Sequence, residues 1–277
     1  MLTEDQQDRY ASQPVQPLVM ETARHKRDTA HGAGLFKARD DEPSSLEIAR
    51  ERVRTATSRT ASLTLMAAPS MSMNKVIHSA VRRDLDRFRR ALDAFPDGDA
   101  GRAAALHRAW TNFDAQLTEH HEGEHEVAFP AMQAIGIDTS TISSFDSEHE
   151  AMAADLAAAR GSMATLHRTA ARADADAAAA AMAKLQATTV GHLDHEEQET
   201  ESALAQHHDD PAIKEMGKKF SRRTGPAKAG VFFAWVQDGA STEELSALRQ
   251  SVPGPVLAIM GGLFGRSYRQ QVAPVWR

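Results

Sequence analysis

The stretch Trp110-Thr-Asn-Phe113-Asp-Ala-Gln-Leu117-Thr-Glu-His120-His121-Glu-Gly-Glu124 decides the fold. Trp110, Phe113 and Leu117 recur three and four residues apart, the apolar spacing of one helix face, and His120 and Glu124 continue that face at i and i+4. A stripe of this kind points into a core, so it carries an imidazole and a carboxylate inward. Three other segments repeat the pattern. His78 interrupts the stripe of Ile77, Val81, Leu85, Phe88 and Leu92; His149 interrupts that of Ile142, Phe145, Met152, Leu156, Ala159, Met163 and Leu166; His192 with Glu196 interrupts that of Met182, Leu185, Thr189 and Ala203. Four imidazoles and two carboxylates are too polar to bury without partners. A pair of metal ions fits this composition best.

Outward from these stripes, the chain reads as all-α. Alanine runs such as Ala177 to Ala181 favour packed helices, aromatics make up 5% of the residues, and no sustained period-two alternation of β-branched residues occurs. The first bundle helix is expected from about Asn74 to Phe95, stopping at Pro96-Asp97-Gly98. The second runs from about Arg102 to Met132, bent or ended by Pro130. The third starts after Asp138 or Ser140, both suitable caps, and the fourth runs from about Asp174 to His207, closed by Asp210-Pro211. Short connections make neighbouring helices antiparallel, giving an up-down-up-down four-helix bundle over residues 73–209.

Flanking this bundle, residues 1–72 read as a poorly ordered N-terminal tail, polar and without an apolar face apart from a short helix around Ser45 to Thr57. Because the periodic segment begins at Met71 and Met73, one reading is that translation naturally starts there, which an intact mass of the native protein would check. Residues 210–277 form a helical C-terminal extension: a Gly-Pro-rich link around Gly225 to Gly230, a turn at Trp235-Val-Gln-Asp238-Gly239, a helix from Thr242 to Ser251 and another from about Pro255 to Gln270. Its Phe232, Phe233, Trp235, Leu263, Phe264 and Trp276 need cover, so it packs on the bundle or on a second subunit.

Charge divides along the same boundaries. The tail balances 10 basic against 10 acidic side chains, the bundle holds 12 against 23, and the extension 10 against 5. An acidic centre disfavours nucleic acid as a partner. Lys218, Lys219, Arg222 and Arg223 are expected to meet an anion or a neighbouring acidic helix, the second being favoured. With no cysteine in the chain, disulfides, thiolate metal sites and thiol catalysis are excluded, and any metal is held by nitrogen and oxygen. The start lacks the basic and apolar blocks of a signal peptide, and the longest apolar runs fall far short of the roughly 20 residues of a membrane helix. A soluble, cytoplasmic protein is expected, with no membrane partner.

The bundle topology makes a prediction about level. With turns at Gly98, Gly136 and Ala171, His78 lies about 20 residues before the first and His120 about 22 after it. Glu124 lies about 12 before the second and His149 about 13 after; His149 lies about 22 before the third and His192 about 21 after. At about 1.5 Å per residue, all six donors share one slab of the bundle. The competing reading is a layer of histidines hydrogen-bonded to glutamates that fixes helix register. Such a layer has to pair every group in a low-dielectric core, which metal charge does with less strain. His120 and His121 straddle the stripe about Glu124, so either could ligate; the i,i+4 relation favours His120 and leaves the other to support it. His125 and His195 read as boundary residues, His207 and His208 as cations at a helix C-terminus, and His25, His31, His107 and His167 as solvated. Glu122, Glu126, Glu148, Glu150, Glu197 and Glu199 read mostly as outer-face charges, with Glu197 able to bond a ligand.

The pattern resembles the hemerythrin-like, or HHE cation-binding, proteins, and in particular the bacterial branch with the order His, His-x-x-x-Glu, His, His-x-x-x-Glu. The matching text is Val76-Ile-His78-Ser-Ala-Val-Arg-Arg, His120-His121-Glu-Gly-Glu124-His-Glu-Val-Ala-Phe-Pro130, Glu148-His149-Glu150 and His192-Leu-Asp-His-Glu196-Glu197, across about residues 74–207. Trp235-x-x-Asp238-Gly239 and Tyr268 to Pro274-Val-Trp276 look like a tail seen in some bacterial members. The resemblance implies two iron ions in an oxo- or hydroxo-bridged centre, with His78, His120, His149 and His192 as terminal ligands and Glu124 and Glu196 as bridges. Eight of about 12 coordination positions are then filled, leaving room for oxygen, peroxide or nitric oxide. Two departures put reversible oxygen transport in doubt: the histidine expected one turn after His149 is Ala153, and the usual His-x-x-x-x-Asp ends here in Glu197, with Glu196 in better helical phase. The expected function is a non-heme di-iron protein that binds or senses a small ligand or iron. The alternatives are a di-iron enzyme decomposing peroxide or reducing nitric oxide, and a zinc or structural-metal interaction module.

Overall fold

The computed structural model describes residues 71–277; the expected tail, including the short helix around Ser45 to Thr57, lies outside them. The fold is all-α, with no strand among the described residues. Five helices build the bundle: α1 (Met73–Asp93), α2 (Ala100–Gly123), α3 (Phe129–Ala134), α4 (Thr139–Thr169) and α5 (Arg172–Gln206). Ser72, Asp99 and Asp138 cap α1, α2 and α4 by accepting the backbone N–H of Lys75, Arg102 and Ser140, donors that the first turn leaves unpaired. Asp138 rather than Ser140 is therefore the cap of α4.

Helix α1 contacts α2 and α5, and α4 contacts the same two, closing a ring. Paired positions give the running directions. Ser72, before α1, bonds Glu201 near the end of α5, whereas Arg172 at the start of α5 donates to the Asp93 and Phe95 carbonyls at the end of α1. Asp155 of α4 meets Lys184 of α5 while the earlier Glu148 meets the later His192. Arg160 of α4 pairs with Asp114 of α2, and the earlier Asp146 with the later His125. All three pairs of neighbours are antiparallel. Gly98 and Gly136 turn the chain with φ of 76° and 98°, a region open to glycine.

Pro130 does not end the second helix. The irregularity lies just before it, where Glu124–Ala128 form a π turn in which the Phe129 N–H reaches the Glu124 carbonyl. A proline cannot donate, and one extra residue in the preceding turn lets the chain continue into α3 with Pro130 in its first turn.

The extension is more helical than expected. Helix α6 (Pro211–Arg223) follows Asp210, which caps it, and α7 (Pro226–Gln237) occupies the segment read as a link, because a proline in the first turn starts a helix. Helix α8 (Thr242–Ser251) matches its expected bounds. The helix expected from Pro255 to Gln270 is instead broken into α9 (Gly254–Ile259), a π turn over Met260–Phe264 and α10 (Arg266–Gln271), followed by a 3-10 turn over Ala273–Trp276. Close approach explains the break: a Cβ on Gly265 would stand 2.7 Å from the Ala234 Cβ, and one on Gly230 would stand 2.2 Å from the Phe264 Cβ.

The extension covers α1. Trp235 is fully buried and its indole donates to Asp84 (2.8 Å), Arg87 pairs with Asp84 and Asp238, and the Tyr268 hydroxyl donates to Asp238. Trp276 packs edge-on against Phe88, 5.0 Å between centroids. Of the four basic residues expected to meet an acidic helix, Arg223 does so by pairing with Glu122 and Glu126, whereas Lys218 and Arg222 pair with Glu215 of their own helix; Lys228, outside that cluster, pairs with Glu119. No described helix is long and apolar enough to cross a membrane.

Candidate metal centre

One half of the bundle core is donor-rich because its inward positions carry His and Glu in place of Leu and Phe. His78, Glu124, His192 and Glu196 are almost wholly buried. The donors fall into two groups whose ligand atoms lie within 4.8 Å of one another. His78, His120, Glu124 and Glu196 form one; His121, His149, His192 and Glu124 form the other. Opposite donors around a bound transition ion stand about 4 Å apart, so small contractions suffice. Glu124 belongs to both groups, whereas Glu196 belongs to one.

All six residues selected from the stripes are thus brought together, and so is His121. The choice between His120 and His121 dissolves, because neighbours on a helix point about 100° apart and each reaches a different group. His121 stacks on His149 at 4.3 Å, while His120 lies edge-on to His78 at 5.1 Å.

The contacts describe a site short of positive charge. The His120 Nε2 is 3.0 Å and the His78 Nε2 4.0 Å from the Glu124 Oε1, and the His149 Nε2 is 3.4 Å from its Oε2. The His78 Nε2 is also 3.2 Å from the Glu196 Oε2. Short as several of these distances are, the Nε2 atoms of His78, His120 and His121, both Glu124 oxygens and the Glu196 Oε2 are buried with no hydrogen-bond partner of proper geometry. Each such group costs about 1–3 kcal/mol. Six together approach the roughly 5–15 kcal/mol that holds an entire domain folded, so the fold calls for something that these lone pairs can share. A cation bound in each group would satisfy them all.

Electrostatics agree with that requirement. Burial opposes charge on His78, yet Glu124, Glu196 and Glu197 hold its pKa well above the usual imidazole range. Burial likewise opposes the Glu124 carboxylate, but His120, His149 and His78 hold it well below the usual range. Glu196 is pushed up by burial and by the Glu124 charge. On the other side, burial and the His149 charge press His121 well down and take His192 to about 4, so both imidazoles stay neutral as ligands must.

Supporting groups fix the rings. The His78 Nδ1 donates to Glu197 at 2.9 Å, and Arg82 bonds the same oxygen at 2.6 Å, which takes Glu197 to about 2 despite its burial. The bond read for Glu197 is therefore present. Glu148, read as an outer-face charge, instead accepts from the Nδ1 of both His192 and His195 at 2.7 Å. Its position one residue before His149 points it toward α5, a signal visible only once α4 and α5 are known to be neighbours. His195 and His125 are half-exposed boundary residues, the latter 3.2 Å from Asp146. His107 and His167 stack at 4.2 Å on the outer face. Phe129 lies parallel to His149, and Phe145 stands edge-on to His192 and His195, giving the second group an apolar wall.

No curated protein and no solved structure matches this chain. Residues 74–209, which include every donor named above, match the family model described as the hemerythrin HHE cation binding domain. Through that segment the chain belongs to the hemerythrin HHE cation binding family.

Proposed function

We propose that the protein is a non-heme di-iron protein that binds or senses a small ligand such as oxygen, nitric oxide or peroxide. His78, His120 and Glu196 serve one ion, His121, His149 and His192 serve the other, and Glu124 bridges them. The observation that carries this reading is Glu124 itself: two buried carboxylate oxygens without partners, shared by two donor groups. Five imidazoles, both Glu124 oxygens and one or two from Glu196 occupy eight or nine of about 12 positions, which leaves three or four for small ligands. The nitrogen-and-oxygen donor set without thiolate suits iron, and eight or nine donors would fill two four-coordinate zinc sites with no position open to a ligand, whereas two six-coordinate ions keep three or four. Iron held there supplies one-electron redox chemistry and open positions. The protein supplies the rest: Glu148 and Glu197 fix the tautomers of His192 and His78 so that each Nε2 lone pair faces inward, and Phe129 and Phe145 keep water from the second group.

Metal analysis of the native protein together with its aerobic spectrum tests the proposal. Two iron ions per chain with near-ultraviolet and visible absorption are expected. Zinc in a colourless protein would overturn the iron assignment and favour the structural-metal alternative. Fast catalytic turnover of peroxide or nitric oxide, in place of slow stoichiometric reaction, would favour the enzyme.

A further inference from the structure

A cleft of about 240 Å³ opens where the end of α1, the start of α2 and the last turn of the chain meet. Arg87, Arg90, Arg102, Trp276 and Arg277 line it, with the Val275 backbone. Every polar side chain in that lining is a hydrogen-bond donor. Arg87 is neutralised from behind by Asp84 and Asp238, and Arg102 donates to the Val275 carbonyl at 2.8 Å, which carries no charge. Arg90 and Arg277 have no side-chain partner among the described residues. The Trp276 indole N–H is buried and also lacks an acceptor.

We infer that this cleft binds a small, multiply charged oxyanion of the phosphate class. Three guanidinium groups without side-chain carboxylates repel one another, and an acceptor-rich anion relieves that repulsion. Guanidinium groups match phosphate oxygens in pairs, and the volume, about eight times the roughly 30 Å³ share of one water, admits phosphate or a small phosphorylated molecule. The site is separate from the metal centre: Arg90 stands about 18 Å along α1 from His78 at about 1.5 Å per residue. It is also built jointly by bundle and extension, so its ligand would tie the two together.

Titration calorimetry of the full chain with inorganic phosphate, at ionic strength held constant with chloride, tests the inference. Saturable binding of one phosphate per chain is expected. Replacing both Arg90→Gln and Arg277→Gln should weaken it at least tenfold without lowering the melting temperature in chloride, since neither side chain holds a described contact and their mutual repulsion is removed. Absence of saturable binding overturns the inference. So does phosphate binding that survives the double substitution but is lost in Glu124→Ala, which would place the anion on the metal ions.

Discussion

The same four long helices build two cores that work on opposite principles. Toward the Gly98 turn, Phe88 packs edge-on against Trp110 and Phe113 at 5.8 and 5.7 Å with Leu85, Leu92 and Leu106 around them, all buried. That half is held by the removal of apolar surface from water, at about 1.5–3 kcal/mol per large side chain. One or two turns further on, the same inward positions hold His78, His120, Glu124, His192 and Glu196, which burial alone destabilises. The comparison shows that helical phase decides where a side chain goes and not whether it is content there. One half is complete as a protein; the other is complete only with cations.

Breaking the donor half at its shared residue should have the largest effect. Glu124→Ala is expected to lose both ions, taking metal content from two per chain to near zero, while circular dichroism still reports a helical protein. Loss of only one ion would mean that Glu124 does not bridge. Damage to the apolar half should look different: Phe113→Ala should lower stability to denaturant by about 3–5 kcal/mol with metal stoichiometry intact. Parallel loss of metal would mean that the two halves are not separable.

A smaller effect should follow at the support. Glu148→Gln keeps the size of the side chain but weakens its hold on the His192 and His195 Nδ1 protons, and metal affinity should fall about 10- to 100-fold in competition with a chelator. An unchanged affinity would return Glu148 to the outer-face role read from the sequence. The smallest effect concerns pH in the metal-free chain. With a pKa of about 4 when folded against about 6.5 when unfolded, His192 takes up a proton later in the fold than in the unfolded chain. Its contribution is present above about pH 6.5 and is lost as pH falls toward 4. His78, raised, acts in the opposite sense and favours the fold at low pH. Comparison with His192→Gln isolates the first term: that variant should lose less stability between pH 6.5 and 4, and an equal loss in both proteins would contradict the assignment.

How much of this was legible depended on whether a signal was local. The six inward donors could be read because each breaks an apolar stripe on its own helix. The count from the three turns could place them at one level because antiparallel neighbours convert sequence distance into height. His121 stayed an alternative because a helical wheel treats the site as a single target, whereas the two donor groups offer two directions. Glu148 and Asp84 were hidden for a different reason. Their partners, His192 and Trp235, lie on other helices, and a lone carboxylate on a charged helix gives no hint of them. The extension misled through Pro226 and Gly230, which look like loop residues but mark a helix start and a backbone contact.

The bridged pair of ions is tested most directly by anomalous diffraction at the iron edge from crystals of the native protein. Two peaks are expected, one beside His78 and Glu196 and one beside His149 and His192, with Glu124 reaching both. A single peak, peaks away from Glu124 or no iron signal in this half of the bundle would contradict the account.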